Sequence, residues 1–90
     1  MMSWKVTATA KTQKALKKLP AKIRELFKQL ADDIEAAGPV RGDWPNYSKL
    51  SNGSHHCHLN YRYVAVWRVV ANQVQFVEVT YVGSRENAPY

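Results

Sequence analysis

Two runs rich in β-branched and aromatic residues, Tyr61 to Val70 and Val74 to Val82, are separated only by Ala71-Asn72-Gln73. A connection this short suits antiparallel neighbours; parallel strands need a crossover of about a dozen residues or more. The second half of the chain is therefore built on a β-hairpin. A third strand candidate, Ser54 to Asn60, precedes it. The link between this candidate and the hairpin contains no glycine near Asn60-Tyr61, so either the turn is tight or the strand boundary lies elsewhere.

The first half has a different period. Trp4, Val6 and Ala8 alternate with Lys5, Thr7 and Thr9, which predicts a short strand with one inward face. From about Ala10 to Lys18 the residues are mostly good helix formers, with Thr9 in place as N-cap and Leu16 and Leu19 pointing inward. Pro20 marks a restart, because proline is tolerated in a first helical turn but not in a helix interior. Ile23, Leu26, Phe27, Leu30 and Ile34 then recur at helical spacing and form one apolar stripe, which Gly38-Pro39 ends. Residues 38 to 53 are dense in turn formers, with Trp44, Tyr47 and Leu50 as anchors to the core.

The order β, α, α, then three strands predicts an α+β fold. In it an N-terminal strand and a two-helix hairpin pack on one face of a mainly antiparallel four-stranded sheet, leaving the other face open for a ligand. Ninety residues suffice for one core, so residues 1–90 are expected to form a single domain. Charged residues at 22% and apolar residues at 46% are ordinary for a globular chain.

Charge is less ordinary. The net charge is +6, and before Asp32 the cations Lys5, Lys11, Lys14, Lys17, Lys18, Lys22, Arg24 and Lys28 face only Glu25. Such a surface points to a polyanion or an acidic protein as partner. A lone cysteine cannot form an internal disulfide, and the start of the sequence shows no apolar signal core. These features predict a soluble cytoplasmic protein that does not enter a membrane.

All three histidines and the one cysteine fall in His55-His56-Cys57-His58. On a strand, His56 and His58 project one way, about 7 Å apart, while His55 and Cys57 project the other. Imidazole titrates near neutrality and can accept a proton and return it. A zinc site would need further ligands, and the sequence offers no second Cys/His cluster. A Cys57/His nucleophile pair is disfavoured because adjacent strand residues face opposite sides. No metal or other cofactor is expected. Arg62, Arg68 and Arg85 are expected to reach the histidines, and guanidinium matches phosphate.

Several segments together resemble the RelE/HigB-like toxins of bacterial toxin-antitoxin systems, in the wider RelE/ParE superfamily. They are Glu35-Ala36-Ala37-Gly38-Pro39, Trp44-Pro45-Asn46-Tyr47-Ser48-Lys49-Leu50, His55-His56-Cys57-His58-Leu59, Tyr63-Val64-Ala65-Val66-Trp67 and Tyr81-Val82-Gly83-Ser84-Arg85-Glu86-Asn87-Ala88-Pro89-Tyr90. The resemblance implies a toxin that enters the ribosomal decoding site, cuts mRNA by 2′-hydroxyl attack without metal, and is neutralised by a cognate antitoxin. It places the alternating lysine pair of RelE proper on His56 and His58, which are weaker, titratable bases; either could be the general base, with the other orienting substrate. It also places a central-strand arginine near Arg62, a C-terminal arginine on Arg85 and a terminal aromatic on Tyr90. Arg62 and Arg85 would clamp the phosphate. Tyr90 would stack on a base or assist proton transfer, and Lys49 and Arg68 would contact RNA. The family's further C-terminal helix has no counterpart within these residues. Two other functions suit parts of the same pattern: a ParE-like toxin that poisons DNA gyrase without nuclease activity, and a non-catalytic nucleic-acid or protein binding module.

Overall fold

A computed structural model describes residues 3–71 and 73–90; Met1, Met2 and Asn72 lie outside the described residues. The elements run β1 (Lys5–Ala8), α1 (Ala10–Lys17), α2 (Ala21–Ala37), β2 (Ser48–Lys49), β3 (His55–His58), β4 (Tyr63–Val69), β5 (Phe76–Ser84) and a 3₁₀ turn, Arg85–Asn87. The strands form one sheet in the order β1-β5-β4-β3-β2. β1 runs parallel to β5, and the other pairings are antiparallel. The α+β class is as expected, with a fifth strand, the two-residue β2, added inside the turn-rich connector.

Both helices begin where the sequence signals it. The Thr9 hydroxyl accepts from the Thr12 amide at 3.1 Å, satisfying one of the free donors of the first turn of α1. Pro20 caps α2, where its missing N–H costs nothing. At the far end Gly38 takes φ +100°, and a Cβ there would lie 3.1 Å from Trp4 Nε1. Glycine is thus required for the turn, and the indole beside it leaves little room for a side chain.

The stripe of α2 buries Ile23, Leu30 and Ile34, with Leu16, Leu19, Leu26 and Phe27 partly buried around them. They meet Cys57, Ala65, Trp67, Val77, Val79 and Val82 of the sheet. Truncating Leu30 to alanine would cost about 2–5 kcal/mol by the usual cavity penalty. Two tryptophans fasten the connector over this core: Trp67 Nε1 donates to the Pro39 carbonyl at 2.9 Å and Trp44 Nε1 to Asp33 Oδ2 at 2.8 Å. Tyr47 also packs on the core, whereas Leu50 instead closes the β2–β3 turn through Leu50 N–H to Ser54 O at 2.7 Å.

Three features of the sheet sharpen or correct the expectation. β5 runs Phe76–Ser84, because Gln75 adopts φ +52° and Val74 is 83% exposed in a longer turn than three residues. The link between β3 and β4 needs no glycine because the Asn60 side chain makes the turn. Its Oδ1 accepts from the amides of Arg62 and Tyr63 at 2.8 and 2.9 Å. The face opposite the helices is open only in part, with Tyr90 on it 52% exposed. Val64 and Val66 on that face are 0% and 3% exposed and His56 is 9% exposed.

Candidate functional site

Strand register assigns each histidine to a face. His56 lies opposite Val66 and His58 opposite Val64, while His55 lies opposite Trp67 and Cys57 opposite Ala65. Directly opposed residues share a face, so His55 and Cys57 join the core side and His56 and His58 the other. Burial pushes the Cys57 thiol up to about 12, with Asp43 adding to it, which leaves this sulfur as packing rather than nucleophile. His55 is held in the core by Tyr47, whose hydroxyl meets its Nδ1 at 2.7 Å, and by stacking on Trp67 at 5.9 Å between ring centres.

On the other face the rings of His56 and His58 are 6.1 Å apart. Tyr90 returns over them, its ring 4.6 Å from that of His56. His56 Nδ1 sits 3.0 Å from Ser48 Oγ and 3.4 Å from the Ser48 carbonyl. A carbonyl oxygen can only accept and a hydroxyl can accept as well, so the two contacts together favour the tautomer with its hydrogen on Nδ1 and the lone pair on Nε2. His58 Nδ1 lies 3.4 Å from Asn46 Nδ2. Burial, then the charges of His56 and Arg85, hold His58 below its ordinary value, so it is neutral and able to accept a proton near pH 7. Tyr90 is 52% exposed. Burial of its inner part, with Tyr81 and Cys57, nevertheless raises its phenol against the opposing pull of Arg85, so the hydroxyl keeps its proton.

Tyr81 reaches this face through a break in β5. Val66 pairs with Tyr81 but Trp67 with Val79, leaving Thr80 as an extra residue. The bulge lets Val79 and Val82 both face the core while Tyr81 faces the histidines. The Tyr81 side chain then lies along the strand over Gly83, where a Cβ would come within 2.8 Å of its hydroxyl, and donates to the Ser84 carbonyl at 2.7 Å.

Arg62 and Arg85 come together through the Arg85 amide, which donates to the Arg62 carbonyl at 2.8 Å. With Tyr61, Tyr63, Ser84 and Glu86 they line a cleft of about 410 Å³. Histidine pair, Tyr90 and arginine cleft are thus linked through Arg85. Two expected residues lie apart. Arg68, roughly 20 Å along the strand from Arg62 by strand rise, binds Glu78 through Nη2 and Nε at 2.9 and 3.1 Å. Lys49 pairs with His55 and so stands at the sheet edge on the helix side. Ser48, Tyr61 and Tyr81 are neighbours of the site that the sequence reading does not single out. Among the described residues no cluster of three or more His, Cys, Asp or Glu side chains is placed to hold a metal ion.

No protein-family model matches the sequence, and no curated protein matches it significantly. Solved structures do match. The archaeal RelE–RelB complex from Pyrococcus horikoshii OT3 contains a chain that superposes with a TM-score of 0.78. It covers 97% of this chain and 100% of that one, at 20% identity. This chain has a RelE-type fold. The YoeB–YefM complex from Staphylococcus aureus gives a TM-score of 0.72 at 17% identity, over 89% of this chain and 94% of that one. A metal-bound toxin from Helicobacter pylori gives 0.71 at 15% identity, over 92% and 96%. At these identities the likeness is one of fold, and function has to be argued from the side chains the RelE-type fold presents. Among the described residues no helix is long and apolar enough to cross a membrane.

Proposed function

We propose that this chain is the toxin of a toxin-antitoxin pair and acts as a ribosome-dependent endoribonuclease that cuts mRNA without a metal ion. The observation that carries the reading is the convergence of His56, His58, Arg85 and Tyr90 on one face of the sheet, continuous with the Arg62–Arg85 cleft. The two imidazoles stand edge to face with centres 6.1 Å apart, so a phosphodiester would lie across the pair and not between the rings. Arg62 and Arg85 hold its oxygens and stabilise the charge that grows on them in the transition state.

One histidine accepts the 2′-hydroxyl proton as the O2′–P bond forms. The P–O5′ bond breaks, and its electron pair goes to the 5′-oxygen. That oxygen takes a proton from Tyr90, and the imidazolium then returns one to the phenolate. An alkoxide is a far stronger base than a phenolate, so even a raised Tyr90 gives up its proton to it. The products are a 2′,3′-cyclic phosphate and a 5′-hydroxyl. His56 is the better base, since its contact with the Ser48 carbonyl frees Nε2; His58 orients the substrate. Lys49 serves as an outlying contact to the RNA backbone, while Arg68, paired with Glu78, takes no part.

The exposed lysines of α1 and α2 suit docking on ribosomal RNA. An antitoxin that covers the histidine face would silence the enzyme. The test is to strip the protein of metal by dialysis against EDTA, remove the chelator, and add the protein to translating ribosomes. Cleaved mRNA with 2′,3′-cyclic ends supports the proposal. Intact mRNA, together with gyrase-dependent DNA damage on expression, would replace it with the ParE-like reading.

A further inference from the structure

The cleft beside the histidines is lined by more than a phosphate clamp requires. Tyr61 is 68% exposed at its mouth, on the Asn60 turn. Its hydroxyl accepts from Arg62 Nε at 3.1 Å, and the Arg62 guanidinium lies 5.5 Å from the ring centre. An exposed tyrosine would ordinarily swing freely; here the contacts with Arg62 favour one orientation of the ring. Glu86, on the opposite wall, adds a carboxylate to a cleft that otherwise carries two guanidiniums. A carboxylate is misplaced in a site built only for phosphate, which it would repel. It is well placed for the edge of a base.

We propose that this cleft is a nucleobase subsite, resting on the nuclease reading above: it takes the unpaired base next to the scissile phosphate, stacked on Tyr61, and it favours guanine. The aromatic ring and the arginine offer the stacking platform that single-stranded RNA uses on proteins. Arg85 ties the cleft to the chemistry, because it lines the cleft and its charge also acts on His58. A base in the cleft therefore leaves its own phosphate within reach of Arg62 and Arg85. Preference among bases falls to Glu86. Guanine alone presents two adjacent donors, N1–H and N2–H, to the two oxygens of one carboxylate, whereas adenine, cytosine and uracil each present one donor group on that edge.

The test uses trinucleotides with 2′-O-methyl sugars, which bind but lack the attacking hydroxyl. Titrating UGU into the full chain should move the Tyr61 ring protons upfield, through the ring current of the stacked base, and shift Arg62 Nε. UAU, UCU and UUU should bind about tenfold more weakly. Tyr61→Leu should weaken UGU binding about tenfold or more, Tyr61→Phe much less, and Glu86→Gln should erase the difference between UGU and UAU. Tyr61 is exposed, so these variants leave the core untouched. Shifts confined to His56, His58 and Arg85 would overturn the subsite while leaving the nuclease in place, as would wild-type KM and base preference in Tyr61→Leu on translating ribosomes. Failure of the unaltered chain to cleave any mRNA on those ribosomes would instead remove the reading on which the subsite rests.

Discussion

The ring of Tyr90 lies 4.6 Å from that of His56, so the C-terminal segment folds back over the strand that carries the histidines. This contact brings Tyr90 to the histidine pair. Tyr90→Ala is expected to lower the cleavage rate about 10²- to 10⁴-fold, the usual loss on removing a proton-transfer group. Tyr90→Phe separates two roles: a loss as large as that of alanine identifies the hydroxyl as the working group, and near-full activity identifies stacking. Single-turnover cleavage of ribosome-bound mRNA measures both.

Ser48 holds His56 from the next strand, through Oγ at 3.0 Å and the backbone carbonyl at 3.4 Å. Ser48→Ala removes the first contact and keeps the second. It should lower kcat about tenfold with little change in KM, and Ser48→Thr should restore most of the rate. The ¹⁵N shifts of the ring provide a separate check: in the unaltered protein they should report a hydrogen on Nδ1, and in Ser48→Ala a mixture of tautomers. Identical spectra in the two would remove Ser48 from the site.

His58 is held below its ordinary value of 6.5 first by burial and then by His56 and Arg85. Its titration, followed by its ring proton resonances, should therefore have a midpoint below 6.5. Arg85→Gln removes one of the opposing positive charges and should move that midpoint up.

His55 carries a stability effect of definite sign. Its pKa is lowered by burial and by Lys49, so the unfolded state binds its proton more readily than the folded one. The stabilising contribution of the neutral ring is fully present above 6.5 and is lost as the pH falls through and below that value toward the folded pKa. Urea midpoints should fall between pH 7 and pH 5, and the fall should be smaller in His55→Phe, whose ring keeps the stacking on Trp67 without a titrating group.

Legibility in the sequence followed the regularity of the local structure. The separation of His56 and His58 from His55 and Cys57 depends only on the two-residue period of a strand, and it holds. The apolar stripe of α2, bounded by Pro20 and Gly38, was legible for the same reason. Tyr81 was not, because a regular period places it with Val77 and Val79 in the core, and only the extra residue at Thr80 turns it to the other face. The Asn60 turn hid because a side-chain amide, and not a glycine, makes it. Ser48 and Tyr61 depend on tertiary register: the serine matters because β2 sets it opposite His56, and the tyrosine because the 3₁₀ turn sets Arg85 and Glu86 across a cleft from it. Arg68 looked equivalent to Arg62 in sequence, yet Glu78 directly opposite takes up its charge.

The most direct test of the proposed chemistry is cleavage of mRNA on translating ribosomes by the unaltered chain and by the double variant His58→Ala, Arg85→Ala, with the RNA ends identified. The account predicts fragments ending in 2′,3′-cyclic phosphate and 5′-hydroxyl for the unaltered chain, and a rate at least about 10³-fold lower for the double variant. Full cleavage by the double variant would contradict it.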